Sequence, residues 1–282
     1  MHSHIKIEFE FLSKEKKEIV VALLAEMNYE GFEEEGDLLK AYISAGDYDE
    51  KELAHFTDEQ GLNFSVTKVE NTNWNKEWES NFHPVMIHDP VHNAPWVAIR
   101  AGFNKPIKNV EHEITITPKM SFGTGRHVTT SMMIKMMKEL DFTGKTVLDF
   151  GTGTGILAIL SAKLGASKII AIDNDDHSIE NAKENIQAND CSRIQLLKSS
   201  TAKGTHQFDI ILANIVKVVI LNNLDAFVKQ LLPQGVLVLS GLLKDDEKEI
   251  LQSSKNNSLL LRKKIEEYGW ICLQMKYDFN IA

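Results

Sequence analysis

A cluster of glycines follows a short apolar run in the segment "TVLDFGTGTGIL", residues 146–157. The glycines are Gly151, Gly153 and Gly155. Because glycine lacks a Cβ, such a turn lets the backbone approach a ligand closely at the carboxyl edge of a sheet. The spacing is G-x-G-x-G rather than the G-x-G-x-x-G of dinucleotide-binding turns, which weighs against a pyrophosphate ligand. The segment therefore predicts a strand, a ligand-binding turn and a helix.

Three polar side chains are expected at the same sheet edge. Asp149 is expected to close the first strand, where its carboxylate can face an ammonium group of the ligand. Asp173 ends the second strand, where an acid can bind both ribose hydroxyls of an adenosine. Asn214 ends the strand "LANI", beside the first strand in the expected order. Each hydrogen bond to a charged acceptor contributes about 1.5–3 kcal/mol. The combination favours S-adenosylmethionine as the ligand.

The elements that must hold these residues alternate from about residue 116 onward. Short apolar runs predict buried parallel strands, and helical stretches lie between them; the runs are "TVLDFG", "KIIAID", "IQLLKS", "FDIILANI" and "GVLVLSGLL". Two further strand-like runs flank Tyr268-Gly269 and predict an antiparallel hairpin. We therefore expect an α/β fold with a doubly wound, seven-stranded, Rossmann-like sheet.

The first 70 residues differ from the rest in charge and in element order. They hold 7 Lys, no Arg and 17 acidic residues, so they carry all of the excess in a net charge of −9. Their pattern of strand, helix, strand, strand, helix, strand predicts a ferredoxin-like α+β domain. The chain then divides into an N-terminal domain (1–71), a linker helix with connecting strands (72–115) and an α/β domain (116–282). Trp74 and Trp78, four residues apart, are interpreted as packing residues of the linker helix.

The composition weighs against several classes of function. No apolar run reaches the ~18 residues that a membrane-spanning helix needs, so no membrane partner is expected. Acidic charge without basic clusters weighs against sequence-specific nucleic-acid binding. Two cysteines, Cys191 and Cys272, are too few for a disulfide framework and fit a cytoplasmic location. No His, Cys or acidic residues have the spacing of metal ligands, so no metal site is predicted.

A resemblance to a known family appears once the motifs are read together. The chain resembles the ribosomal protein L11 methyltransferases (the PrmA family) over nearly its whole length, through "TPKMSFGTGRHVTT", "VLDFGTGTGILAILSAKLGA", "IDNDDHSIENAKENI", "ILANI", "LVLSGLL" and "NWNKEWESNFHPV". The resemblance implies an enzyme that transfers methyl groups from S-adenosylmethionine to lysine side chains and the N-terminal amine of a basic ribosomal protein. It also implies that the acidic N-terminal domain recognises that protein substrate.

Carried over by position, the family's cofactor contacts fall on Thr130, Gly151, Asp173 and Asn214. The stretch "SFGTGRHVTT" at 121–130 does not follow a buried strand, so it is predicted to be an approach loop beside the cofactor; its matching residues are Phe122, Gly123, Thr124 and His127. The sequence departs from the family at Arg126 (usually Thr), at Val128 (usually Pro), and at Lys119 and Ser121 (usually small residues).

We hypothesise distinct roles for three residues in the reaction. Asn214 orients the acceptor amine with its side-chain carbonyl, and Phe122 excludes water. His127 either fixes the loop through a hydrogen bond or accepts a proton, and the first role is favoured.

Other functions stay open at this stage. The same motifs suit a methyltransferase of another protein amine, of a small-molecule amine or of a nucleic acid. An NAD-dependent oxidoreductase would use the same sheet edge, although the third glycine of its motif is missing. A ribosome-associated adaptor without catalysis is a further alternative.

Overall fold

The computed structural model describes residues 4–10, 13–69, 82–119, 124–202, 204 and 206–278. The chain forms two compact units, Met1–Asn81 and Phe82–Ala282. The predicted linker helix with Trp74 and Trp78 lies outside the described residues, as do Phe122 and Gly123 of the approach loop. Among the described residues, no helix has the length and apolar character needed to cross a membrane.

The described residues of the first unit form a four-stranded antiparallel sheet and two helices. Its elements are β1 (His4–Phe9), α1 (Lys14–Glu26), β2 (Gly31–Glu35), β3 (Leu38–Ser44), α2 (Glu50–Gln60) and β4 (Phe64–Val69). The strand order is β2-β3-β1-β4. Ser13 and Asp49 cap the two helices, each by accepting a backbone N–H of the first turn. Alternate residues of β1, including Ile7 and Phe9, are fully buried beneath the helices.

A large, mostly parallel sheet forms the core of the second unit, which confirms the predicted α/β class. Its strands are β8 (Thr146–Phe150), β9 (Lys168–Asp173), β10 (Ile194–Lys198), β11 (Phe208–Asn214), β12 (Leu231–Leu243), β13 (Leu259–Glu267) and β14 (Trp270–Tyr277). They lie in the order β10-β9-β8-β11-β12-β14-β13. The first five strands are mutually parallel, whereas β14 is antiparallel to β12 and to β13. The predicted hairpin at Tyr268-Gly269 is confirmed.

Helices pack on the sheet; one precedes β8, and the others follow β8, β9, β11 and β12. They are α3 (Val128–Met137), α4 (Ile156–Lys163), α5 (Asp176–Ala188), α6 (Lys217–Gln230) and α7 (Glu247–Asn256), with a 3₁₀ turn at Lys244–Asp246. Leu148, Ile211, Phe227 and Leu239 are among the buried side chains of this core. Full burial of such a side chain contributes about 1.5–3 kcal/mol, so the apolar strands are held between helical layers.

Residues 85–116 form a separate three-stranded sheet within the second unit. Its strands are β5 (Val85–His88), β6 (Pro95–Ala101) and β7 (His112–Ile116). β5 is antiparallel to β6, and β7 is parallel to β6. The sequence predicted connecting strands here, and the structure shows that they pair with one another.

Two details of the predicted sheet were wrong. The run "IQLLKS" was expected to be a buried strand, but β10 lies at the edge of the sheet and most of its side chains are partly or fully exposed. Asp149 was expected to close the first strand. β8 instead continues through Phe150, because Phe150 still pairs with Ile172 and with Ala213 on the neighbouring strands.

Candidate active site

Three predicted site residues lie level with one another at the carboxyl edge of the large sheet. Phe150 of β8 is paired with Ile172 of β9 on one side and Ala213 of β11 on the other. The next residue of each strand is Gly151, Asp173 and Asn214, respectively. Since neighbouring strands lie about 4.8 Å apart, the backbones of Asp173 and Asn214 flank the glycine turn at about 10 Å from each other. The placement of Asn214 beside the first strand is confirmed.

The turn after β8 requires glycine at its first and last positions. Gly151, Gly153 and Gly155 all have positive φ, at 73°, 52° and 82°. A Cβ on Gly151 would lie 2.2 Å from Cγ2 of Ile215. Gly155 begins helix α4, and its amide donates to the carbonyl of Thr152 over 2.8 Å. The turn is thus tight, and its backbone lies at the sheet edge where ligands of open α/β folds bind.

Asp173 is tied to this turn from the neighbouring strand. Its Oδ2 accepts the backbone N–H of Gly153 over 2.8 Å, and its Oδ1 accepts that of Asp175 over 3.1 Å. The cap of helix α5 is Asp175, whose carboxylate accepts from Ser178 N. Asp173 is therefore not a helix cap. A carboxylate has about four lone-pair positions, so Asp173 keeps acceptor capacity for further hydroxyl donors.

Asp149 lies beneath the turn with only 1% of its surface exposed. Its Oδ2 accepts from Oγ1 of Thr152 over 2.6 Å and from the backbone N–H of Ala158 over 3.1 Å. Within the described residues, Oδ1 has no hydrogen-bond partner. Burial raises the pKa of this carboxyl to about 7. The observed role of Asp149 is to join strand, turn and helix; its contact with a ligand ammonium group stays a prediction.

Asn214 contacts the helix that follows the approach loop. Its Nδ2 donates to Oγ1 of Thr130, which is 2% exposed on helix α3, over 3.4 Å. Oδ1 of Asn214 is buried and accepts no hydrogen bond from any described residue. A buried amide carbonyl without a donor costs about 1–3 kcal/mol. Such an atom is suited to accept a hydrogen bond from a bound amine.

His127 caps helix α3. Its Nδ1 lies 3.3 Å from the backbone nitrogen of Thr129, whose N–H it accepts, and 2.7 Å from Oγ1 of Thr129. Its ring packs edge to face on Trp270 of β14, with ring centroids 5.0 Å apart. Burial lowers the pKa of His127 to about 4, because the charged ring would lose its hydration. The ring is therefore neutral at pH 7 and holds the start of the helix.

The described part of the approach loop begins at Thr124, which is partly exposed. Gly125 has a φ of 85°, and a Cβ there would lie 2.4 Å from Cδ1 of Ile99 on β6. The guanidinium carbon of Arg126 lies 4.8 Å from the ring centroid of Phe82. Arg126, which departs from the family pattern, thus stacks on an aromatic ring of the same unit.

Sequence reasoning missed two residues, Ser240 and Gly241, that contact the backbone of Ile215, the residue after Asn214. The amide of Ile215 donates to the carbonyl of Ser240 over 3.1 Å. A Cβ on Gly241, where φ is 79°, would lie 2.5 Å from the carbonyl oxygen of Ile215. The pair Ser-Gly within "LVLSGLL" carried a usable signal, since an isolated glycine in a strand often marks a close backbone approach.

No group of three or more His, Cys, Asp or Glu side chains is arranged as a metal site among the residues that the structure describes.

Comparison with known proteins gives a consistent result over nearly the whole chain. A family model for "Ribosomal protein L11 methyltransferase (PrmA)" matches residues 6–278. The chain is 35% identical over 282 residues to the ribosomal protein L11 methyltransferase of Chlorobaculum tepidum, with 96% of this chain and 95% of that protein covered. It is 33% identical over 265 residues to that of Bacteroides fragilis, with 91% and 92% covered.

A solved structure is also similar. The crystal structure of ribosomal protein L11 methylase from Lactobacillus delbrueckii subsp. bulgaricus matches with a TM-score of 0.60 and 31% sequence identity. The match covers 64% of this chain and 95% of that one.

Proposed function

The chain belongs to the ribosomal protein L11 methyltransferase (PrmA) family, and from this premise we propose that it transfers methyl groups from S-adenosylmethionine to amino groups of ribosomal protein L11. The acceptors are lysine side chains and the N-terminal amine. The resemblance found in the motifs is thereby confirmed at the level of the family. The observation that carries the proposal is the row formed by Asp173, Gly151 and Asn214 at the sheet edge.

The residues at this edge fit S-adenosylmethionine. Asp173 retains lone pairs for the two ribose hydroxyls, and the positive-φ glycines let the turn approach the ligand. The buried Oδ1 of Asn214 and the buried Oδ1 of Asp149 each have an unused acceptor among the described residues. Thr130 holds the Asn214 amide from helix α3. When bound, S-adenosylmethionine supplies an electrophilic methyl group on a positively charged sulfur.

Asn214 is proposed to orient the acceptor amine. Freeing a lysine amine with a pKa of ~10.4 from its proton at pH 7 costs about 4.6 kcal/mol, whereas an N-terminal amine of pKa ~8 costs about 1.4 kcal/mol. The side-chain carbonyl of Asn214 can accept one N–H of the neutral amine and aim its lone pair. Desolvation at the sheet edge favours the neutral amine, with Phe122 proposed to exclude water. Fixed orientation then supplies much of the rate.

His127 is proposed to act as a cap rather than as the proton acceptor. Its Nδ1 is already engaged by the Thr129 N–H, and its pKa of about 4 makes the ring a weak base. The amine proton therefore leaves to water. Gly123 and Thr124 are proposed to lie beside the cofactor, as in the family pattern.

The first unit is proposed to be a ferredoxin-like domain that recognises the protein substrate. Its sheet order β2-β3-β1-β4, with a helix between β1 and β2 and another between β3 and β4, supports that assignment. Residues 1–70 of this unit carry a net charge of −10, which complements a basic ribosomal protein and speeds their encounter. We also propose the division 1–71, 72–115 and 116–282 from the change in element pattern along the sequence, and a cytoplasmic location from the presence of only two cysteines.

Mass spectrometry of purified ribosomal protein L11, after incubation with the protein and S-adenosylmethionine, tests the proposal. We expect mass increments of whole methyl groups, mapped to lysine residues and the N-terminus. If another amine substrate is methylated and L11 is not, that substrate replaces L11 in the proposed function. Binding of S-adenosylmethionine without any methyl transfer would favour an adaptor, and binding of NAD in its place would favour an oxidoreductase.

A further inference from the structure

Three asparagines stand four residues apart along helix α5 and its end: Asn181, Asn185 and Asn189. Residues at this spacing lie on one face of a helix. Asn181 and Asn185 are fully buried. Their amides meet the outer edge of β7, the edge strand of the three-stranded sheet, and the residues that follow it. This face of the helix therefore hydrogen-bonds to backbone groups at the end of β7 that a further strand would otherwise bind.

Among the residues that the structure describes, the side chain of Asn189 bonds to this edge and to its own helix. Its Oδ1 accepts the backbone N–H of Thr115 over 3.0 Å, and its Nδ2 donates to the carbonyl of Thr115 over 2.6 Å. The same Nδ2 donates to the carbonyl of Asn185 over 2.8 Å. At Thr115 of β7, the Asn189 amide thus makes the pair of backbone hydrogen bonds that a neighbouring strand would make.

Asn185 also reaches the glycine turn. Its Oδ1 accepts the backbone N–H of Thr117 over 2.7 Å. Its Nδ2 donates to the carbonyl of Thr154 over 2.8 Å and to Oδ1 of Asn181 over 2.7 Å. Asn181 in turn donates to the carbonyl of Thr117 over 3.3 Å. One buried amide therefore joins residue 117, beyond the end of β7, to the turn that follows β8.

The bond to Thr154 is one of several hydrogen bonds that restrain the glycine turn. The Thr154 carbonyl belongs to the peptide group whose N–H is that of Gly155, and Gly155 has a φ of 82°. Glycine-rich backbone has wide conformational freedom, so the turn needs external hydrogen bonds to stay in one conformation. Asp173 supplies one at Gly153 and Asn185 supplies another at Thr154. A turn held in its binding conformation binds its ligand more tightly.

We propose that Asn185 is a positioning residue for the methyl donor, acting through the Thr154 carbonyl on the glycine turn. This inference rests on the proposed function, since it takes S-adenosylmethionine as the ligand of that turn. In the contacts described above, the Asn185 side chain bonds to backbone groups and to Asn181. Its effect on binding of the methyl donor is therefore transmitted through the glycine turn.

The test compares Asn185→Ala with Asn189→Ala in the full-length chain. Both changes remove an asparagine side chain from the same helix face and both break a bond to the region of β7. Only the first breaks the bond to the turn. We expect the Kd for S-adenosylmethionine, measured by calorimetry without protein substrate, to rise about five- to twentyfold in Asn185→Ala. In Asn189→Ala it stays within about twofold of wild type, although both variants melt at lower temperature.

Equal Kd values for wild type and Asn185→Ala, or equal weakening in both variants, would overturn the inference. If circular dichroism shows Asn185→Ala unfolded, Asn181→Ala replaces it, because Asn181 holds the Asn185 amide over 2.7 Å. A Kd unchanged from wild type in that variant overturns the inference as well. The wild-type protein is titrated first: its failure to bind S-adenosylmethionine would contradict the proposed function itself, whereas binding unaffected by the substitutions contradicts only the role of Asn185.

Discussion

Gly153 donates its backbone N–H to Oδ2 of Asp173 over 2.8 Å, so the acid that ends β9 holds the turn that follows β8. Asp173 ends β9, and Gly153 lies in the turn after β8, the neighbouring parallel strand, so the two residues meet at the same sheet edge. Asp173 therefore has two tasks. It fixes the glycine turn, and in the proposed function its remaining lone pairs bind the ribose of the methyl donor.

Asp173→Asn is expected to weaken S-adenosylmethionine binding about 10- to 100-fold, because hydrogen bonds to a charged acceptor contribute about 1.5–3 kcal/mol and the amide lacks that charge. Calorimetric titration measures the Kd. Asp175→Asn is the matched control, since Asp175 caps helix α5 and asparagine caps a helix equally well. Equal affinities for the two variants would remove Asp173 from the binding site.

Asn214→Ala is expected to lower kcat for methyl transfer about 10²- to 10³-fold, in the range found when one oriented polar group is removed from an active site. The Kd for S-adenosylmethionine is expected to change by less than about tenfold. Single-turnover methylation of L11 and calorimetry give the two values. Asn257→Ala serves as control, because Asn257 donates to the carbonyl of Ser253 away from the site. Near-normal transfer with intact cofactor binding would show that Asn214 does not orient the amine.

Below about pH 6.5, His127 makes the free energy of unfolding depend on pH. Burial lowers its pKa to about 4 in the folded chain, so the unfolded chain binds the proton more readily between these values. This contribution to the free energy of unfolding is complete above pH 6.5 and falls by up to about 3 kcal/mol as pH drops towards 4. His127→Asn keeps a capping side chain but has no proton to gain, so urea unfolding at pH 7.5 and 4.5 should show a smaller loss for the variant.

The control for His127 is His55→Asn, since the His55 side chain is 76% exposed on helix α2. The loss of the Trp270 contact lowers the stability of His127→Asn at both pH values and cancels in the difference. Identical pH dependence for wild type and His127→Asn would contradict the buried, neutral state of the ring.

Titration of Asp149 changes the free energy of unfolding in the direction opposite to that of His127. Its pKa of about 7 in the folded chain exceeds the ~3.9 of an unfolded aspartate, so the folded chain binds the proton more tightly. Its effect lowers the free energy of unfolding as pH rises from about 4 to about 7. Asp149→Asn retains an acceptor for Thr152 and Ala158 without the buried charge. It should be more stable than wild type at pH 8 by about 2–4 kcal/mol and similar at pH 4.

Chemical denaturation of the Asp149→Asn variant and wild type at both pH values measures the difference. A variant that is no more stable than wild type at pH 8 would contradict the raised pKa of Asp149.

Reversing exposed charge on the first unit is expected to weaken capture of the protein substrate. Glu52→Lys with Asp58→Lys, on helix α2, should raise KM for L11 about tenfold at low salt and leave kcat unchanged, because charge complementarity governs encounter. The difference should shrink as salt screens the charges. Asp225→Lys with Asp245→Lys is the matched pair on the second unit, where both residues are exposed. An equal rise in KM for both pairs would refute a special role of the first unit.

The row of Asp173, Gly151 and Asn214 could be predicted because carboxyl ends of parallel strands meet at one edge. The edge position of β10 could not be predicted, because it depends on the order of strands in space and not on the composition of "IQLLKS". The packing of His127 against Trp270 depends on a residue of the last described strand, and no local pattern connects the two. The bond from Thr152 to Asp149 likewise needs the conformation of the turn.

The pairing of β14 between β12 and β13 has a consequence for how the second unit folds. β13 pairs only with β14 among the described strands, so it cannot join the sheet until the later strand has formed. Trp270, which buries the ring of His127, also lies on β14, about half the chain away in sequence. Contacts of such long separation form slowly, because the intervening chain must first be closed into a loop. We therefore expect the start of helix α3 to acquire its native packing late in folding.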